Sequence, residues 1–583
     1  MNQRNSSSNQ SSVLKAITVV SLLLLFSTFS APSSSTDYIN SKSKTEEDEI
    51  EFFVLEIPDS VGEGFEPHIL VGPGIDGEEW LYIDSPTGLG SGLSGNLWIS
   101  KDGGDTWEFK QTGRPPTNWG GSGDSYTAVF SDGTIVYTDL YGFTVTADTS
   151  FNGGDTWVQN PLASIPWLDD RQWFEIGPTV GTGDPQTLYL TYNSFGPIRG
   201  FYIQKSQFTA AGLGWIPGNA GLPITTSTGS RDYFIVDRND GTLYLPNNEG
   251  GSLVVYVSDD GANSFSRHEV LETIDDIQNI FVVTDVDNAG NVYLTWTDKY
   301  NVFMAVSQDR AENWEISQVT DTIGSRVLPW IVGGDAGRIG ITWYESATEG
   351  DSDVSEEMDN ATWDVKGALC IDALSENRTF LITTIMENVH TGTIKTTGAS
   401  DQPADRDLGD FFTNDVDSMG RMVLTFGKDG DDGANQYQAA VMFGEQIDGP
   451  FLLENMGPIA NFTYETKGLK VFVDGSESID LNGKGIDEYI WDFGDGTNGT
   501  GETAEHEYNK SGEYEVTLRV INKDGLGNKT SQDVVVEKRR TEFNPLLILL
   551  ILVLILGVAA LAYLFLIRNK GGKNQPVPVA PET

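Results

Sequence analysis

The chain of 583 residues has one cysteine, Cys370, so no disulfide can form within it and the fold must rest on its core. We read Cys370 as a small buried thiol in a strand. A nucleophilic thiol needs a histidine partner, and the only four histidines, His68, His268, His390 and His506, form no local pair. The same scarcity leaves a histidine-based metal site without support. Positive charge is also in short supply. Lys and Arg total 36 against 85 Asp and Glu, a net charge of −49. Such a field repels a polyanion, which excludes nucleic acid as a partner and leaves an acidic surface suited to salt or divalent cations.

Long uncharged apolar runs are confined to the two ends. Lys15 precedes an apolar run, Ala16 to Phe26, and small residues follow it. This is the layout of a secretory signal over residues 1–30, with cleavage before Ala31. From Leu546 to Ile567 no charge occurs. At about 1.5 Å per residue such a helix spans roughly 33 Å, enough for a bilayer core. Basic residues flank it on both sides (Lys538, Arg539, Arg540; Arg568, Lys570, Lys573), so orientation follows from the signal instead. The expected layout is an acidic polar linker at 31–50, exported domains, a single-pass helix at 545–567 and a short cytoplasmic tail at 568–583. The protein is expected in the cell membrane with its bulk outside.

Between these ends one pattern repeats. A short strand follows an Asp/Gly turn at Trp80–Ile83, Thr134–Thr138, Leu188–Thr191, Leu243–Leu245, Val292–Thr295, Ile339–Thr342 and Met422–Thr425. The steps are roughly 50 residues, the length of a four-stranded propeller blade. The last is longer, because the sixth repeat carries an acidic insertion around Ser346–Asp364. The expectation is an all-β chain with a six- or seven-bladed propeller, seven favoured, over 51–455. Glu51–Ile57 is the candidate strand to complete the blade that holds Gln438–Phe443.

A turn recurs in the same register. Ser100-Lys101-Asp102-Gly103-Gly104-Asp105-Thr106-Trp107 returns as Ser150–Trp157, Ser258–Phe265 and Ser307–Trp314, with a decayed copy at Ser206–Trp215. The Asp or Asn accepts backbone N–H groups, the glycines allow positive φ, and the closing aromatic ring packs on a neighbouring blade. This resembles the Asp-box, or BNR repeat, of sialidase-like propellers. Asp102, Trp107, Asn152, Trp157, Asp260, Phe265, Asp309 and Trp314 are therefore fold residues. In that family the box lies away from the ligand face.

At 456–538 the pattern changes to Trp491-Asp492-Phe493-Gly494-Asp495-Gly496, then His506-Glu507-Tyr508 and the alternating run Gly512–Leu518. It resembles a PKD domain, an immunoglobulin-like β-sandwich with Trp491 and Phe493 in the core and a turn at Gly494–Gly496. In that family such domains act as spacers or adhesion modules.

The sialidase resemblance implies three arginines for a substrate carboxylate, a Tyr nucleophile with a Glu partner, and an Asp acid/base. Its Arg-Ile-Pro motif is missing, and the stretch reads Glu66-Pro67-His68-Ile69-Leu70. Arg171, Arg231, Arg326 and Arg406 precede Trp173, Tyr233, Trp330 and Phe411 at blade starts. They form a candidate anion cluster at the channel mouth, or else each pairs with a neighbouring acid to hold a loop. Tyr344-Glu345 is the candidate nucleophile pair. Asp285–Gly290 and Asp415–Gly420 resemble the start of a calcium loop, without its distal Glu, and hairpin turns explain them more simply. No cofactor is expected, and the metal question stays open. Asn360, Asn377, Asn461, Asn498 and Asn528 are N-glycosylation sequons. The leading expectation is a surface protein that binds glycan, protein or matrix without catalysis. The alternatives are an exo-acting glycosidase and a structural envelope component.

Overall fold

The computed structural model describes residues 50–570 except 61–62, 88–93, 113–121, 142–143, 161–162, 165–167, 179–185, 197–198, 210–211, 215–221, 226–231, 250, 273–280, 397–405, 430–438, 455–456, 481–482, 524 and 539–544. The expected signal segment, the linker up to Glu49 and most of the tail lie outside these. The chain divides into two compact units, Met1–Leu453 and Glu454–Thr583.

The described residues of the first unit form seven antiparallel sheets, each a meander. The first strands are His68–Pro73, Ser122–Val129, Asp169–Gly177, Ile235–Val236, Val283–Val286, Ser325–Gly333 and Thr413–Val416. Each packs beside the first strand of the next sheet, and the seventh returns to the first, which closes a β-propeller. Side chains stitch the ring. Thr413 Oγ1 accepts from the Ile69 N–H at 2.7 Å and Asp415 from Val71 at 2.7 Å. Asp285 accepts from Gly333 at 2.7 Å, and Ser125 Oγ donates to Asp84 at 2.8 Å.

All seven repeated segments fall on second strands. Tyr82, Tyr137, Tyr189, Tyr244 and Tyr293 occupy one equivalent position and are fully buried. The sixth repeat has Gly340 there. A Cβ on it would lie 2.4 Å from Met422 Sδ, so a methionine of the next blade fills the space. The N-terminal strand Glu51–Glu56 pairs antiparallel with Ala440–Asp448 as the outer strand of the seventh blade.

The four repeated turns share one hydrogen-bond scheme. Ser100 Oγ accepts from the Gly104 N–H at 2.9 Å, Asp102 Oδ1 from Thr106 at 2.9 Å, and Trp107 Nε1 donates to Gly104 O at 3.0 Å. Ser150, Ser258 and Ser307 accept in the same way from Gly154, Ala262 and Ala311, each at 2.9 Å. The last turn residue has positive φ whether it is Gly104 (104°) or Ala311 (67°). Trp107 packs edge-on against Phe443 of the seventh blade, ring centroids 5.2 Å apart. Ser100 is buried whereas Asp102 is exposed. Ser100→Ala strands a buried N–H and is expected to cost about 2 kcal/mol, against about 1 kcal/mol for Asp102→Ala. Urea-unfolding midpoints check the order; equal shifts contradict it.

In the second unit, one sheet holds Thr463–Lys467, Lys470–Asp474 and Thr503–Glu507. The other holds Ile486–Asp492, Asn498–Thr500, Gly512–Asn522 and Gly527–Val536. Trp491, Phe493, Phe462, Val471, Tyr508 and Leu518 form the core. Trp491 Nε1 donates to Gly501 O at 2.8 Å, and the Tyr508 hydroxyl to Phe493 O at 2.9 Å. Gly494 takes φ 71°, and a Cβ there would meet Glu515 O at 2.5 Å, which explains the glycine. A helix follows, Pro545–Lys570. Its stretch Leu546–Arg568, 23 residues of mean hydropathy 3.1, is exposed and is long and apolar enough to cross a membrane.

Candidate functional site

Each blade of the propeller sends one ring toward the axis from its first strand or the residues just before it. These are His68, Tyr126, Trp173, Tyr233, Phe281, Trp330 and Phe411. They form a plug. Trp173 touches Tyr126, Tyr233, Phe281, Trp330 and Phe411 at centroid distances of 5.2–5.9 Å. His68 stacks on Tyr126 at 3.8 Å, and its Nδ1 hydrogen-bonds Asp84 at 2.8 Å.

Three of these rings follow a bulge, Tyr126 after a slip between Ser122 and Ser125. The pairing register slips between Asp170 and Trp173, where Arg171 has φ 50°, and between Val327 and Trp330, where Leu328 has φ 54°. The slip at Arg171 turns its side chain inward. The guanidinium lies 4.9–5.3 Å from the ring centroids of Trp173, Phe281 and Phe411. Its Nη2 meets Glu66 at 2.9 Å, Asp124 at 3.3 Å and Asp410 at 3.3 Å. Burial pushes Glu66 up to about 8 despite Arg171, and raises Asp124 likewise. Burial works against the Arg171 charge, but Asp124, Glu66 and Asp410 outweigh it and keep the group protonated.

On the other face of the plug lies a cavity of about 400 Å³. Tyr126, Tyr233, Trp330 and His68 line it at the plug, and Pro73, Ser131, Pro178 and Gln186 at the far end, in the connections between first and second strands. An antiparallel meander puts these connections and the repeated Ser/Asp turns at the same end of a blade. Consistent with this, Gly153 of one such turn sits against Ile75 in the first connection of the neighbouring blade. The cavity therefore opens on the turn face, away from the Arg171 cluster.

The cavity wall is acidic and aromatic. The Tyr126 hydroxyl donates to the Tyr233 hydroxyl at 3.0 Å, and Tyr233 donates to Glu175 through a short hydrogen bond. Burial pushes Glu175 up to about 8, partly offset by Tyr233 and Arg238. Burial likewise raises Asp285 to about 6 and raises Asp415. Arg238, in the turn after Ile235–Val236, is exposed and lines the cavity. Loss of hydration opposes its charge, and Asp415, Asp285 and Glu175 outweigh that. None of the ion pairs within 4.0 Å among the described residues involves Arg238.

The residues singled out from sequence are scattered. Arg171 and Arg406 come together, Arg406 holding Asp410 at 2.6 Å and Glu66 at 3.9 Å. Arg326 is elsewhere, fully buried, bound to Glu345 at 2.7 Å and to the carbonyls of Thr322 and Tyr300. Arg231 lies outside the described residues. Of the two readings of these arginines, the geometry of Arg171, Arg326 and Arg406 is that of acid pairing. Tyr344 and Glu345 are strand neighbours with separate surroundings. The Tyr344 hydroxyl donates to Gly427 O at 3.1 Å in the core, while Glu345 accepts from Trp343 Nε1 at 3.0 Å. Two Tyr–Glu pairs among the described residues share a hydrogen bond, Tyr256–Glu249 within one hairpin and Tyr233–Glu175 at the cavity; the latter joins different blades, which adjacency in sequence could not reveal. In the two calcium-like segments, Asp287 Oδ1 accepts the Ala289 and Asn291 N–H groups, and Asp417 Oδ1 those of Met419 and Arg421. Among the described residues no group of three His, Cys, Asp or Glu is placed to hold a metal ion. Asn360, Asn377, Asn461 and Asn498 are exposed, and Asn528 is half-buried. Cys370 is buried, and burial pushes its thiol up to about 12.

Fold and site define a propeller with a blind axial cavity, followed by a β-sandwich and an apolar helix. Comparison with known proteins places the sandwich: residues 455–536 match the PKD domain. This segment is similar to Collagenase ColA of Clostridium perfringens, 47% identical over 70 residues, 12% of this chain and 6% of that protein. The chain thus covers only a small part of the curated relative it matches. It is also similar to the PKD1 domain of Vibrio anguillarum Epp, at 33% identity and TM-score 0.14, covering 15% of this chain and 99% of that one. Phage phi92 endosialidase aligns over 85% of this chain and 89% of its own, at 11% identity and TM-score 0.37.

Proposed function

We propose that the protein is an extracellular binding protein, exported by the signal at 1–30 and held at a cell surface by Leu546–Arg568. Its propeller takes a ligand in the axial cavity, and its PKD domain is a spacer between propeller and membrane in the order of the chain. On this reading the four Ser/Asp turns are Asp-boxes that serve the scaffold. The observation that carries the proposal is the cavity itself: about 400 Å³, closed at one end by aromatic rings and lined by a few convergent polar groups. Its size suits a small molecule, or the end group of a glycan, protein or matrix polymer. The test is a thermal-shift screen of the full chain in detergent micelles against sugars, sugar acids, amino acids and small cations. At least one class should raise the melting temperature, and Trp330→Ala should abolish that shift. A screen with no shift in any class counts against the reading.

A second reading, an exo-acting glycosidase, is favoured by the Tyr233–Glu175 hydrogen bond. Against it stand the separation of Arg171 from Arg326 and a cavity on the turn face. Glycoside turnover that Tyr233→Phe removes would establish it in place of the first.

A further inference from the structure

The cavity holds an imbalance of charge that the fold does not resolve. Glu175, Asp285 and Asp415 face it, and Arg238 is the only Arg or Lys among the described residues that line it. Asp285 and Asp415 each accept two backbone N–H groups, from Val286 and Gly333 and from Val416 and Val71. Those bonds favour the ionised forms, and each carboxylate keeps lone pairs to spare. Glu175 binds Tyr233 through Oε1 only. It shares the cavity with Tyr126, Tyr233 and Trp330, and aromatic rings in a cavity favour an organic cation. At the same time Arg238, which lines the cavity and whose guanidinium is a planar fork of donors, has no ion-pair partner within 4.0 Å among the described residues. Two further polar atoms of the lining, Thr127 Oγ1 and Asn414 Oδ1, are buried with no hydrogen-bond partner. A site with unmet demands of both signs and an aromatic floor fits a ligand that carries both charges.

Resting on the binding reading above, we propose that the axial cavity takes a small zwitterion, an ammonium carboxylate of the amino-acid or betaine class. Its ammonium group sits against the aromatic floor beside Glu175, and its carboxylate engages Arg238. A free anion meets Asp285 and Asp415, whose backbone N–H partners favour the ionised form, and is disfavoured. A simple cation satisfies the floor but leaves Arg238 unanswered. A neutral sugar leaves both charges unmet.

The experiment is calorimetric titration of the full chain in micelles with glycine betaine, L-leucine, choline, acetate and glucose. A zwitterion should bind at least about ten-fold more tightly than choline, the size of one desolvated charge contact, and acetate and glucose should not bind. Betaine and L-leucine separate the two sources of the same chemistry, and binding of either supports the proposal. Arg238→Ala should remove the preference for betaine over choline while leaving choline binding unchanged. At pH 9, above the raised Glu175 value, Glu175→Gln should weaken both by about ten-fold. Choline binding as tightly as betaine overturns the proposal, as does an Arg238→Ala variant that keeps the preference. Glucose binding without zwitterion binding overturns the ligand class and leaves the binding reading standing. If none of the five probes binds, the zwitterion is excluded, while the binding reading is judged by the thermal-shift screen. Circular dichroism and the urea-unfolding midpoint of each variant confirm the fold.

Discussion

Deleting residues 50–57 is expected to abolish a closed, soluble propeller. The strand Glu51–Glu56 is the outer strand of the seventh blade and pairs residue by residue with Ala440–Asp448. Phe52, Val54, Leu55 and Ile57 are buried, with Val54 and Ile57 wholly so. Burial of each is worth roughly 1.5–3 kcal/mol, so the four together reach roughly 6–12 kcal/mol. That is comparable with the entire stability of a typical domain, about 5–15 kcal/mol. The deletion also strips the partner from the nine-residue strand Ala440–Asp448, leaving it as a bare edge prone to pairing with other chains. Expected outcomes are loss of the soluble chain or rapid proteolysis of the first unit. Val54→Ala, a cavity without the open edge, should leave a folded propeller that is about 2–3 kcal/mol less stable. A deleted chain with unchanged melting temperature and protease resistance would show that the ring closes without this strand.

That strand was legible in the sequence because it joins an apolar alternation to a position just before the repeats begin. The blade count was legible for a related reason. The second strand is buried on both faces, so its apolar run survives in every repeat. Even the exception at Gly340 is compensated by Met422 in the next blade. Trp491 and Phe493 could be assigned to a core because adjacent glycines and aspartates specify a turn on their own. The cavity could not be read in this way. Glu175, Tyr233 and Arg238 belong to two blades and meet only once the ring is closed. The aromatic rings that follow the arginines at blade starts were the available signal, since four of the seven were visible as Trp173, Tyr233, Trp330 and Phe411. The direction of Trp173 and Trp330 depends on bulges at Arg171 and Leu328, where non-glycine residues take positive φ, and these leave no mark in composition. The bulge decides that Arg171 points into a cage of acids.

That cage yields the second large effect. Glu66 comes from the first blade, Asp124 from the second, Arg171 from the third, and Asp410 from just before the seventh, so one guanidinium ties both sides of the ring closure. Arg171→Met keeps an apolar stem against Trp173, Phe281 and Phe411 but leaves three buried carboxyl groups with Arg406 alone. Removing one partner from a buried ion cluster costs about 3–5 kcal/mol, and that loss is expected at pH 8.5. At pH 5 most of it should return. The reason lies in proton binding. Burial already raises Glu66 to about 8 in the folded protein, above its unfolded value, so folding takes up a proton between these limits. Stability from this group is complete below the unfolded value and declines as pH rises toward the folded one. Without Arg171, Glu66 and Asp124 are raised further, more protons are taken up, and the decline steepens. At pH 5 the folded Glu66 is protonated and its unfolded counterpart, ordinarily about 4.3, is within about one pH unit of its midpoint, so the missing cation matters less there. Urea unfolding of the native chain and of Arg171→Met at pH 5 and pH 8.5 measures both slopes. Glu66→Gln added to Arg171→Met should recover part of the loss at pH 8.5 and little at pH 5, because it removes one of the charges that the mutant folded state must neutralise. Parallel pH profiles for the native and Arg171→Met chains would mean that the guanidinium acts by packing on the aromatic plug, and that its charge contributes nothing to closing the ring.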